Sequence, residues 1–167
     1  MDKFDLQNKV ALVTGGGTGI GKASAELMAR AGASVMVTGR REEVLKQTVL
    51  DLGEKGYLSD YCICDVSIED NCMAAVADCV KRFGRLDILV NSAGTAGSAK
   101  TLSDHFNTDH FNDVMSVDFN GVFFMIKYAY KECVKGGAGS IINISSVAAL
   151  GSSGPIVYTA AKGAMKA

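Results

Sequence analysis

The sequence predicts an α/β fold: a doubly wound parallel sheet between two layers of helices (αβα), as one domain over residues 1–167. Three observations carry this. Short apolar runs alternate with longer amphipathic segments from end to end. The apolar runs are nearly continuous, as strands covered on both faces must be. The first run, KVALV, passes directly into a loop with five glycines in nine positions, VTGGGTGIG (13–21). At 167 residues and 48% hydrophobic content, there is room for one domain with a substantial core.

The elements follow in order. KVALVT (9–14) reads as a buried strand and GKASAELMARAG (21–32) as a helix closed by Gly32. SVMVTG (34–39) is a second strand, and 41–56 a helix with acidic residues in its first turn, where they favour the helix dipole. A third strand lies within 57–66. The helix over 67–84 opens near a capping box, Ser67 with Asp70, and stops at Gly84. LDILVNSAG (86–94) is a fourth strand running into small residues. After a long polar stretch comes one helix from about Thr108 to Lys135, then a fifth strand at 139–146, a Gly/Ser-rich loop, and a helix starting at Pro155.

Composition excludes several functions. The net charge is −1, with no Lys/Arg cluster longer than a pair, which argues against nucleic acid or an anionic membrane surface as partner. No apolar run reaches the roughly 18 residues of a membrane span. The N-terminal MDKFDLQNKV lacks the apolar core of a signal peptide, so a cytoplasmic protein is expected. The five cysteines (62, 64, 72, 79, 133) read as reduced, mostly buried thiols. His105 and His110 read as solvated loop or helix-start residues, and no metal site is expected.

In a doubly wound sheet, ligands bind at the carboxyl ends of the strands. The unusual small-residue segments, 14–21, 91–97 and 145–154, all fall there. Gly15 bends the chain, Gly19 leaves room for a pyrophosphate near backbone N–H groups, and Gly21 lets the helix pack on the sheet with its positive end toward the phosphates. A strand–loop–helix of this kind predicts nucleotide binding.

The glycine spacing is T-G-x-x-x-G-x-G, and here the chain resembles the short-chain dehydrogenase/reductase family, with a Rossmann-like fold. Further motifs follow in the family's order. NSAG (91–94) resembles its N-N-A-G, with Ser92 in place of the second Asn. DV (65–66) resembles its adenine-contacting pair. Ser145–Ser146 and YTAAK (158–162) match its Ser and Y-x-x-x-K elements. A lone Y-x-x-x-K carries little weight; five motifs in order, each on the right element, carry the resemblance over essentially the whole chain.

The resemblance implies an oxidoreductase moving a hydride between NADP(H) or NAD(H) and an alcohol or ketone. Gly15, Gly17, Thr18, Gly19, Ile20, Gly21, Arg40, Arg41, Asp65, Val66, Asn91, Ala93, Gly94, Tyr158 and Lys162 would hold the cofactor. The second strand ends in Gly39, where an acid would mark NAD. Arg40 and Arg41 follow, so NADP(H) is favoured over NAD(H), a guanidinium offering bidentate binding to a 2′-phosphate. Tyrosine serves as acid or base if its phenolate is favoured, and Lys162 lies one helical turn beyond Tyr158 on the same face. The family pattern adds that Lys162 holds the nicotinamide ribose and that a Ser orients the carbonyl. Ser145 and Ser146 point to opposite faces, and the pattern selects Ser146.

Two features depart from the family. Asp118 stands where many members carry an Asn that holds a proton-relaying water, a role Asp118 can still fill. Members also run to roughly 250 residues as single domains; the chain is expected to lack their C-terminal part, with the rest of the substrate wall. GSSGPIV (151–157), uncharged, points to an apolar substrate such as a steroid or an acyl thioester. Segment 108–135 has more apolar surface than one sheet face needs, and because this helix packs against its mate in members of the family, the resemblance implies a homodimer or homotetramer. The alternative readings are a non-catalytic dinucleotide sensor, against which the trio Ser146, Tyr158 and Lys162 argues, and an inactive truncated form.

Overall fold

The structure, a computed structural model, describes residues 4–97, 107–151 and 155–166. Five strands, β1 (Val10–Thr14), β2 (Ser34–Gly39), β3 (Ser59–Ile63), β4 (Ile88–Asn91) and β5 (Ser140–Asn143), form one parallel sheet in the order β3-β2-β1-β4-β5. Side chains alternate across the sheet, and this sorts the core into two layers. Ala11, Val13, Val35, Val37, Ile88 and Val90 pack on helices α1 (Gly19–Arg30) and α2 (Glu42–Gly53) through Ala25, Ala29, Leu45 and Leu52. Val10, Leu12, Met36 and Leu89 face the opposite layer. There they meet α3 (Glu69–Phe83) through Cys72, Ala75, Val76 and Cys79, and α5 (Gly121–Lys135) through Met125, Ala129 and Cys133. The doubly wound, Rossmann-like architecture is therefore present. Its winding reverses between β1 and β4, the place where such sheets open a crevice.

Several local readings change. The long helix is two helices, α4 (Thr108–Met115) and α5, joined by one π-type turn at Ser116–Asn120. That wider turn holds Asp118 fully buried, while Gly121 lies so close to Val66 that a Cβ would stand 2.7 Å from Val66 Cγ2. Ser67 does not cap α3: its N–H and hydroxyl both donate to Asp65 Oδ1, at 3.0 and 2.7 Å, and Ile68 occupies the cap position. The fifth strand is short and solvent-exposed, with no strand paired on its outer side among the described residues. A single 3₁₀ turn (Val147–Leu150) and α6 (Ile156–Ala164) follow it. His110, expected in solvent, is buried on α4 with its ring against Gly97. His105 and residues 152–154 lie outside the described residues. Among the described residues no helix is long and apolar enough to cross a membrane, and all five thiols are free.

Candidate active site

The carboxyl ends of β1, β2, β4 and β5 open onto a crevice of about 410 Å³, within the range of small-molecule and cofactor sites. The glycine loop forms its floor. Gly21 packs on the loop itself: a Cβ there would lie 2.3 Å from the Gly15 carbonyl oxygen, so only glycine allows α1 to start so close to the strand. Gly19 has φ +53° and open space where a side chain would project. The cap residue Thr18 makes no side-chain hydrogen bond to α1, and the first turn carries no acid. Its first N–H groups thus remain for an external acceptor, reinforced by the helix dipole.

Most of the predicted binding residues converge. Gly15, Thr18, Ile20 and Gly21 line the crevice from the first loop, Arg40 from the end of β2, Asp65 and Val66 from the end of β3, Ala93 and Gly94 from the end of β4, and Tyr158 and Lys162 from α6. Others serve next to it. Gly17 packs on Val44 of α2. Arg41 is the cap position of α2 and exposed. Asn91 is buried and donates to Asn143 Oδ1 at 2.9 Å, joining β4 to β5. Asp65 brings a carboxylate to the arginine end of the crevice that the reading of β2 alone did not include: its Oδ2 lies 4.0 Å from Arg40 Nη1.

The reacting end is built by α6. Tyr158 is half-buried, and its ring centroid stands 5.6 Å from Lys162 Nζ. Lys162 is buried and forms an ion pair with buried Asp118, Nζ to Oδ1 at 2.8 Å; Nζ also donates to the Ile144 carbonyl at 3.4 Å. Asp118 Oδ2 accepts the Thr95 N–H at 2.8 Å. The two serines are placed differently, and Ser146 is not among the residues that line the crevice. Ser145 lines the crevice, but its hydroxyl donates to the Lys162 carbonyl at 3.1 Å. Ser146 Oγ accepts the Ala148 N–H at 3.1 Å at the start of the 3₁₀ turn, which leaves its own proton to give.

One residue was missed although its motif was quoted. Thr14, buried at the end of β1, accepts the N–H groups of Ser92 and Ala93, both at 3.0 Å. It therefore fixes the β4 loop against the glycine loop. The signal was available: a hydroxyl residue at the end of an otherwise apolar buried strand needs a polar partner. Cys64, Val117 and Ile144 also line the crevice. Nothing in their spacing marks them, because their place depends on strand order.

The crevice thus brings the glycine loop at the start of α1 together with Tyr158 and Lys162 of α6. The family model "short chain dehydrogenase" matches residues 9–167; the chain belongs to the short-chain dehydrogenase family. It is 38% identical over 161 residues to (+)-borneol dehydrogenase 2 of Salvia officinalis, covering 96% of this chain and 56% of that protein. It is 37% identical over 166 residues to a 3beta-hydroxysteroid dehydrogenase of Mediterraneibacter gnavus, covering 99% and 59%. Its fold matches a crystal structure of NAD+-bound xylitol dehydrogenase with TM-score 0.89 at 30% identity, covering 96% of this chain and 62% of that one. The chain thus spans about three-fifths of the length of these relatives.

Proposed function

We propose that this chain carries the cofactor half and the acid–base group of an NADP(H)-dependent oxidoreductase acting on the CH–OH group of an alcohol or the carbonyl of a ketone. The observation that carries the reading is the placement of Tyr158 and Lys162 in one crevice with the glycine loop. The residues fit a dinucleotide. The steric demand at Gly21, the open space at Gly19 and the uncapped start of α1 together form a cradle for a pyrophosphate. Gly39 and Arg40 at the end of β2 support a 2′-phosphate, hence NADP(H) over NAD(H), although Asp65 shares the guanidinium. When bound, the nicotinamide supplies or accepts the hydride.

The chain's own groups do the rest. Tyr158 gives its phenolic proton to the carbonyl oxygen in reduction and takes the hydroxyl proton in oxidation. Lys162, anchored by Asp118 and the Ile144 carbonyl, has a remaining donor for a ribose hydroxyl, since its third neighbour, Met165 Sδ at 3.6 Å, is a weak acceptor. Ser146 offers its free proton to the substrate oxygen, and Ser145 holds α6 in register with β5. An apolar cyclic alcohol or ketone is the favoured substrate class, in keeping with the names of the borneol and hydroxysteroid relatives. The exposed Phe123, Tyr130 and Val134 on α5 support a homo-oligomer.

Tyr158→Phe tests the reading. NADPH binding is retained, while turnover of ketone and secondary-alcohol panels falls by about 10²–10⁴-fold, the range of lost acid–base catalysis. Unchanged turnover in the variant refutes the assignment.

A further inference from the structure

All five cysteines lie in one layer of the core, between the sheet and helices α3 and α5. They are not equivalent. Burial pushes the Cys62 thiol up to about 11 and the Cys79 thiol up to about 12, and it raises Cys133 as well. Such thiols are inert. Cys64 differs first in its place. It directly follows β3, its N–H donates to the Gly39 carbonyl at 2.9 Å, and it lines the crevice beside Asp65 and Val66. The residue is only 1% exposed, so a reagent reaches its sulfur from the crevice.

Behind it stands Cys72, fully buried in the first turn of α3. The chain between them folds back, and Cys72 Sγ donates to the Val66 carbonyl at 3.3 Å. This leaves the two sulfurs within hydrogen-bonding reach of each other. The Cys72 thiol holds the Cys64 thiol below its ordinary value, against burial and the Asp65 charge, and is itself pushed up. One sulfur reached from outside with a second close behind it is the arrangement of a reactive thiol and its resolving partner.

We propose that Cys64 and Cys72 form a redox site in the wall of the crevice, which peroxide entering the crevice closes into a disulfide. The Cys64 sulfur, as thiolate, attacks one peroxide oxygen. The S–O bond forms as the O–O bond breaks, and the departing hydroxide takes the former thiol proton and leaves as water. The Cys72 sulfur then attacks the Cys64 sulfur. The S–S bond forms as the S–O bond breaks, and the hydroxyl leaves with the Cys72 proton as a second water. The two thiols are oxidised by two electrons, and one peroxide is reduced. The new bond encloses Asp65 and Val66, and a dithiol reductant reopens it by exchange.

Shielding of this site by NADPH rests on the proposed function; the disulfide itself does not. The test treats the reduced, folded chain with hydrogen peroxide and maps its thiols by alkylation, digestion and mass spectrometry. The expected product is a single linked peptide pair, Cys64 with Cys72, which dithiothreitol reverses. NADPH at about ten times its Kd leaves roughly one crevice in eleven empty and slows the reaction about tenfold. Cys72→Ser stops Cys64 at the sulfenic acid, which dimedone labels, while Cys79→Ser leaves the bond forming as before. A disulfide at any other pair overturns the proposal, as does peroxide that leaves Cys64 and Cys72 reduced in the folded chain. An undiminished rate in chains that have bound NADPH overturns it too. A reduced chain that binds no NADPH yet forms the Cys64–Cys72 bond removes the dinucleotide reading and leaves the redox site standing.

Discussion

Replacing Gly19 by Ala separates the role of the glycine loop in folding from its role in holding a ligand. The residue has φ +53°, in the left-handed region, and a Cβ there meets nothing within 4 Å. The folding cost is therefore backbone strain alone, about 1–2 kcal/mol for an L side chain in this conformation. For a domain of this length, that lowers Tm by roughly 2–8 °C and leaves the chain folded. On the proposed reading, the new methyl instead occupies the space in which the pyrophosphate would meet the first N–H groups of α1. Loss of one charge-assisted hydrogen bond costs about 1.5–3 kcal/mol, so NADPH binds roughly 10- to 100-fold more weakly. Fluorescence titration of NADPH, with a thermal melt on the same sample, checks both numbers. Gly21→Ala is the control: its Cβ would stand 2.3 Å from the Gly15 carbonyl oxygen, a backbone clash that removes fold and binding together. A Gly19→Ala chain that binds NADPH with parent affinity refutes the placement of the phosphates.

Two further outcomes follow from named contacts. Ser146→Ala lowers kcat/KM by about 10²-fold, the scale for loss of a donor to a developing oxyanion, with NADPH affinity unchanged. Ser145→Ala instead loses about 1 kcal/mol of stability, because its hydroxyl serves the Lys162 carbonyl; steady-state kinetics beside melts distinguish the two. Asp87 is buried and accepts the Val10 N–H at 2.9 Å and two Arg85 donors at 2.8 and 2.5 Å. Burial opposes its charge, but the Arg85 and Val10 bonds outweigh that and hold the carboxyl below its ordinary value. A depressed folded value means the stabilisation is full above the unfolded value near 3.9 and is lost as pH falls through the folded one. Asp87→Asn therefore destabilises by about 1–3 kcal/mol at neutral pH, and denaturant melts show the gap closing in strong acid.

The alternation of apolar and amphipathic segments was enough to read the sheet and its helices, because each strand's residues must satisfy a layer on either side. The small residues that follow β1 and β4 stand out in the sequence because they break the apolar runs, whereas Thr14 at the end of β1 does not. Residues whose position depends on long-range geometry were not legible. The π-type turn at Ser116–Asn120 lies inside a segment that reads as one continuous helix, and no residue type there marks the change in hydrogen-bond spacing. Ser67 looked like a cap, but a nearby carboxylate is the stronger acceptor for its hydroxyl. The pairing of Asp118 with Lys162 joins residues 44 positions apart on separate elements, and only the fold brings them together.

Binding of the two dinucleotides to the chain is the most direct test of the central claim. The account predicts saturable binding of one NADPH per chain by calorimetry, tighter than NADH, with the preference abolished in Arg40→Ser and the NADH affinity left as it was. Failure of the parent chain to bind either dinucleotide contradicts the claim that this crevice is a cofactor site.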